Sequence, residues 1–246
     1  GALAEQGQRV LLLDLDPQAH ASLHLGIVPE DEPTMYEVLL GDATLPEALQ
    51  VGRHRVQVAP AHLDLAAAEV ELAGEVGREF ILRDRLKALE DQLDYLLIDC
   101  PPSLGILTLN ALAAVSEVFL PLQPHFLALH GLSKLLGTME LVASRLNPEL
   151  FLSGVVLCMY DSGTRLAAEV SRDVVRYFAE DTATASTEIF NTRIRRNIRL
   201  AEAPSFGQTI FEYAPNSHGA EDYRALAEEV SLMGVMQSPA PLRAAS

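Results

Sequence analysis

Val10-Leu11-Leu12-Leu13-Asp14-Leu15-Asp16-Pro17-Gln18 is an apolar run that ends in two carboxylates and a proline. A strand covered on both faces needs such a run, and ligands in open parallel sheets bind just beyond the carboxyl ends of strands. The two aspartates therefore stand where a parallel α/β protein places its chemistry. In a strict strand Asp14 and Asp16 would share one face, but beyond the strand end the chain turns at Pro17 and the pair can diverge. On the local residues alone, division of a metal shell and a water between them stands beside a plainer role, the second carboxylate capping the next helix.

Working outward, further strand-like runs are predicted at Val56–Ala59, Tyr95–Cys100, Val118–Leu122, Leu152–Met159 and Glu188–Phe190. Between them Leu63–Leu72, Phe80–Leu93, Leu107–Val115, Leu129–Leu146 and Leu166–Phe178 carry apolar residues at helical spacing. This alternation predicts an α/β fold with a doubly wound, mostly parallel sheet flanked by helices. Asp31–Asp42 reads as an acidic loop, and Glu221–Met236 as a C-terminal helix. No linker divides the chain, so a single domain over residues 1–235 is expected, with a flexible tail over 236–246.

The 246 residues are 49% hydrophobic and 21% charged, the balance of a compact folded protein, with a formal net charge of −16. That acidity argues against a broadly basic nucleic-acid surface, so any DNA contact must come from a local cluster. Arg193, Arg195, Arg196 and Arg199 form one, suited to phosphate contacts through forked guanidiniums, or else a helix-end cluster paired with acids such as Glu188 and Glu202. Cys100 and Cys158 are too few for a disulfide framework, which favours a reducing, cytoplasmic setting. No stretch reaches the roughly 18 to 20 apolar residues of a membrane span. The C-terminal helix lacks the basic face of a membrane-surface anchor, so no membrane partner is expected.

Tyr95-Leu96-Leu97-Ile98-Asp99-Cys100-Pro101-Pro102-Ser103 is a second apolar strand ending in an acid. Acids at such positions serve the shell of hydrated magnesium in nucleoside triphosphatases. His20 and His24, four apart, lack a third zinc ligand, and Cys100 has no basic neighbour to activate it. Signatures of dinucleotide binding, of serine hydrolases and of zincins are absent.

The pairing of LLLDLDPQ with LLIDCPPSLG, followed by Pro121-Leu122-Gln123-Pro124, Ala128-Leu129-His130-Gly131-Leu132, Met159-Tyr160-Asp161, Phe190-Asn191-Thr192 and Leu200-Ala201-Glu202-Ala203-Pro204-Ser205-Phe206-Gly207, resembles the ParA/Soj family of partitioning ATPases. MinD-like cell-division ATPases resemble the same plan more distantly. The resemblance implies ATP and Mg²⁺ as cofactors, with Asp16 positioning the attacking water. It places Asp14 and Asp99 near the magnesium, through water, and Met159 in a loop that cradles the nucleotide base. It further implies a nucleotide-switched homodimer, nucleoid-associated, that binds duplex DNA non-specifically and answers a ParB-type centromere-binding protein in chromosome or plasmid segregation.

The family's phosphate loop, of the form K-G-G-x-G-K-[ST]-[ST], is absent from these residues, whose lysines are Lys87 and Lys134. Gly1–Gly7 is similar to the end of the helix that follows that loop, with Gly7 its left-handed stop. The expectation is a sequence that starts late relative to the functional gene product. Two alternatives are a sheet that closes by pairing the Asp99 strand with Val118–Leu122, or a strand supplied by a partner chain. Little or no ATP hydrolysis is expected of these residues alone, and the rival reading is a non-enzymatic relative that acts by binding or dimerisation.

Overall fold

A computed structural model describes residues 1–30, 32–89, 93–125, 128–161, 163–180 and 187–237. In chain order the strands are β1 (Val10–Asp14), β2 (Gln50–Val51), β3 (Gln57–Ala59), β4 (Tyr95–Asp99), β5 (Glu117–Leu122), β6 (Phe151–Tyr160) and β7 (Glu188–Arg195). The helices of the first half are α1 (Ala2–Glu5), α2 (His20–His24), α3 (Met35–Leu40), α4 (Leu45–Ala48), α5 (Leu65–Glu71) and α6 (Ile81–Leu86). Those of the second are α7 (Ile106–Ala114), α8 (Ala128–Arg145), α9 (Arg165–Glu180), α10 (Ile198–Glu202), α11 (Ile210–Tyr213) and α12 (His218–Gln237).

The apolar run of β1 lies between two parallel neighbours, as its composition requires. Leu11 faces Gln57 of β3 on one side, and Val10 to Asp14 run in register with Tyr95 to Asp99 of β4 on the other. β2 adds a short antiparallel edge to β3. β5, β6 and β7 form a second parallel set. The doubly wound order is kept, but the ladder is interrupted: among the described residues the sheets run β2-β3-β1-β4 and β5-β6-β7. Closure by direct pairing of the Asp99 strand with Val118–Leu122 is therefore not what forms. Leu97, in the middle of β4, is 40% exposed, whereas Leu11 and Leu13 of the flanked β1 are fully buried.

α7 explains how two cores coexist across the interruption. Six of its side chains, from Leu107 to Ala113, are buried, the pattern of a helix covered all round. Leu107 and Ala111 join the core beneath β1, while Leu112 joins the core of Leu157, Val155 and Phe178. Asn110, fully buried between them, receives the Leu82 amide of α6 at 2.9 Å and donates to the carbonyls of Arg78 and Ile106.

Several sequence expectations change. The stretch around 31–42 is not all loop, because Thr34 and Glu37 form a capping box that starts α3 and buries Met35, Val38 and Leu39. Asp31 lies outside the described residues. The strand expected at Glu188–Phe190 continues to Arg195, so Arg193 and Arg195 belong to a strand and not to a helix end. The helix expected over Phe80–Leu93 is shorter, with α6 ending at Leu86 and residues 90–92 outside the described set. Gly7, with φ of +86°, is in the left-handed conformation read from the sequence. α12 runs through Gln237, past the expected start of the tail, and residues 238–246 fall outside the described set.

Candidate functional site

Asp14 and Asp99 are register partners at the carboxyl ends of adjoining parallel strands. Beyond them the Leu15 amide still bonds to the Asp99 carbonyl at 2.8 Å, which carries the ladder one step further into the turn. There the two aspartates of the opening motif diverge. The Asp14 carboxylate, fully buried, accepts from the Ser22 amide at 2.8 Å, the Ser22 hydroxyl at 2.7 Å and the Asp16 amide at 3.1 Å. It thus satisfies a free amide in the first turn of α2, the capping role that the sequence offered to Asp16. Asp16 points elsewhere, accepting from the Gln18 amide at 3.0 Å in a tight turn that places Ala19 at φ +54°.

Asp99 is the least compensated of the three. Burial, and then the charges of Asp14 and Asp16, push its carboxyl up to about 6, with His24 and His20 of α2 opposing them. Among the described residues none of the three acids forms an ion pair with lysine or arginine. No three His, Cys, Asp or Glu side chains among them are placed to grip a bare metal ion. An unneutralised acid trio without a full ligand set fits hydrated magnesium, which keeps most of its waters and takes one or two carboxylates. The triphosphate is another matter, because these residues hold no glycine-lysine loop to receive it.

The raised carboxyl has a consequence for stability. An unfolded Asp99 would release its proton near pH 4, the folded one near 6, so the native state binds more protons in that window and loses stability as pH rises through it. Asp99→Asn is therefore expected to stabilise the protein at pH 7 by about 1 kcal/mol, a figure reduced for solvent screening at this partly open position. The gain should vanish below about pH 4, the ordinary aspartate range, in thermal melts compared across pH.

The other residues singled out in the sequence fall as follows. Met159 lies in a bulge of β6 opposite β7, with φ of +50° and 52% of its surface exposed at the carboxyl end of the strand. Such a conformation in a non-glycine residue is strained, and strain of this kind collects at functional loops. Burial pushes the Cys100 thiol up to about 12 and the Cys158 thiol to about 11, so neither is a nucleophile at neutral pH. His24 Nδ1 lies 2.8 Å from the His20 carbonyl oxygen, which satisfies that ring nitrogen within its own helix.

Of the four arginines, Arg193 lies over the Tyr160 ring, 4.6 Å from its centroid, and donates to the Tyr160 hydroxyl at 2.8 Å. Arg195 is held by Asp222 at 2.6 Å and Glu221 at 3.3 Å, and Arg199 by Glu202 at 2.8 Å. Arg196 is exposed, and its amide donates to the Tyr160 carbonyl at 3.1 Å. α12 contributes residues that sequence reasoning missed. Glu229 accepts from the successive amides of Asn191 and Thr192 at 2.9 and 2.7 Å, and Asp222 accepts from the Arg195 amide at 2.9 Å. These contacts join residues 27 to 38 positions apart, beyond any local pattern.

The AAA domain family matches residues 1–152. The chromosome partitioning protein ParA of Myxococcus xanthus is 45% identical over 97% of this chain and 82% of its own length. The sporulation initiation inhibitor protein Soj of Bacillus subtilis is 44% identical over 94% of this chain and 90% of its own. The chain belongs to the ParA/Soj family of partitioning ATPases. Among solved structures, cobyrinic acid a,c-diamide synthase from Mycobacterium smegmatis with bound ATP analog and magnesium superposes with a TM-score of 0.78 at 37% identity, covering 94% of this chain and 84% of that one. The cell division ATPase MinD of Pyrococcus furiosus gives 0.74 at 26% identity, over 94% and 89%. The ParA/Soj assignment and the P-loop NTPase-like α/β architecture agree with the fold read from the alternating runs. No helix of the described residues is long and apolar enough to cross a membrane.

Proposed function

We propose that this ParA/Soj chain serves chromosome or plasmid segregation as a nucleotide-switched homodimer that binds duplex DNA non-specifically and answers a ParB-type centromere-binding protein. The observation that carries the reading is the register pairing of Asp14 with Asp99 beside the turn of Asp16, with Asp99 left unneutralised. In this reading Asp14 and Asp99 hold magnesium through water, Asp16 orients the attacking water, and Met159 lines the base. Asp14 does so while anchoring α2, so its carboxylate stays fixed between Ser22 and the site. Magnesium, when bound, supplies charge neutralisation for the phosphates. The cytoplasm, at the nucleoid, is the setting this role requires.

Phosphoryl transfer is mostly positioning and charge neutralisation, and the positioning loop is not among these residues. The 246-residue polypeptide alone is therefore expected to hydrolyse ATP little or not at all. A parallel strand that bears the loop, supplied from outside these residues, would lie between the interrupted edges of β4 and β5.

Titration of Mg²⁺ followed by the carboxyl resonances of Asp99 and Asp16 tests the site without requiring turnover. Magnesium is expected to shift both and to lower the titration midpoint of Asp99. A midpoint that stays near 6 at millimolar Mg²⁺ would sink the magnesium reading. Magnesium-dependent ATP turnover by the 246-residue polypeptide, lost in Asp16→Ala, would instead overturn the expected inactivity.

A further inference from the structure

The four arginines proposed to meet DNA are not equivalent, and their neighbours divide them. Arg195 Nη2 bridges two acids of the first turns of α12, at 2.6 Å from Asp222 and 3.3 Å from Glu221. Arg199 Nη1 is 2.8 Å from Glu202, which also accepts the Tyr213 hydroxyl at 3.0 Å. Arg193 leans on an aromatic ring instead of an acid, and Arg196 is exposed with no acidic partner among the described residues.

The acids divide too. Asp222 is buried and binds the Arg195 backbone amide as well as the guanidinium, so it is part of the framework. Glu221 and Glu202 keep 58% and 37% of their side chains exposed, and none of their side-chain partners is a backbone group. They are attached to the arginines without holding the strand in place.

We infer that Glu221 and Glu202 mask the basic end of β7 and α10, acting as internal competitors for the phosphates of duplex DNA. This rests on the DNA-binding reading above and adds a control to it. Exposed ion pairs are weak, whereas phosphate offers a guanidinium a two-pronged partner, so DNA can displace the glutamates at a penalty in affinity. In a chain of net charge −16 that penalty matters, because few cations offset the long-range repulsion of the duplex. Any partner that draws Glu202 away frees Arg199, and one that draws Glu221 away uncovers one side of Arg195, which Asp222 still holds; either change tightens DNA binding.

The test compares the parent chain, the Glu202→Gln/Glu221→Gln variant, a charge-matched Glu30→Gln/Glu75→Gln variant and Arg196→Ala. Binding to duplex DNA is followed by fluorescence anisotropy across a salt series. The unmasked variant is expected to bind about three- to tenfold tighter than the parent, with a salt slope steeper by about one, because Arg199 is released while Arg195 keeps Asp222. The charge-matched control should gain less than twofold, since its acids lie elsewhere. Equal gains in the two variants, or parent affinity and slope in the unmasked one, overturn the mask. If the parent still binds with a salt dependence and weakens in Arg196→Ala, the DNA reading survives that outcome. Absence of salt-dependent binding in parent and unmasked variant alike overturns the mask and shows that these arginines hold no DNA without the nucleotide-bound state.

Discussion

Asp14→Ala is expected to lower the unfolding free energy by about 3 kcal/mol, because it removes one charged acceptor from three donors in a fully buried position. The Ser22 amide and hydroxyl lose their partner, and the hydroxyl also receives the Ala61 amide at 3.3 Å. The damage therefore reaches the turn after β3. The sign of the effect separates two roles for this residue. Were Asp14 only a cation ligand, its removal would relieve repulsion with Asp99 and stabilise the metal-free protein. A urea transition shifted to higher denaturant in Asp14→Ala would show that repulsion, and not anchoring of α2, governs the position.

Asn110→Ala should be the next most damaging change, at about 2 to 3 kcal/mol, since it deletes three hydrogen bonds inside a protein interior. Its side chain caps the start of α6 from another helix, receiving the Leu82 amide where Phe80, the N-cap residue, provides no side-chain bond. Asn110→Asp keeps the acceptor but loses both donations and buries a charge, so it should be no milder. A loss below about 1 kcal/mol for Asn110→Ala, measured in urea, would mean that the helix joint re-forms without it.

The parts of the fold that were legible in the sequence are those governed by local pattern. Leu11 and Leu13 are buried, and the acids at the ends of β1 and β4 stand side by side because equal apolar runs were paired in register. The divergence at Pro17 was readable too, but which aspartate would reach α2 was not, because it depends on where Ser22 arrives in three dimensions. α3 was hidden by its acidic flanks, although Thr34 and Glu37 at capping-box spacing were signal enough. The full length of β7 was illegible for a different reason. Arg195 is tolerated in a strand because carboxylates of α12 receive its amide and charge from far along the chain, and Arg193 because the Tyr160 ring and hydroxyl of β6 receive it. The interruption between β4 and β5 likewise has no local signature, since pairing is a relation between distant segments.

The outer edges of the two sheets are treated unequally. β7 is blunted by Glu229, and β2 is only two residues long, both ordinary ways of discouraging a stranger from pairing. β4 and β5 have no such guard among the described residues, and Leu97 lies open on the former. In concentrated solution the 246-residue polypeptide should therefore gather into strand-to-strand aggregates through these unpaired edges, while its acidic surface resists clumping everywhere else.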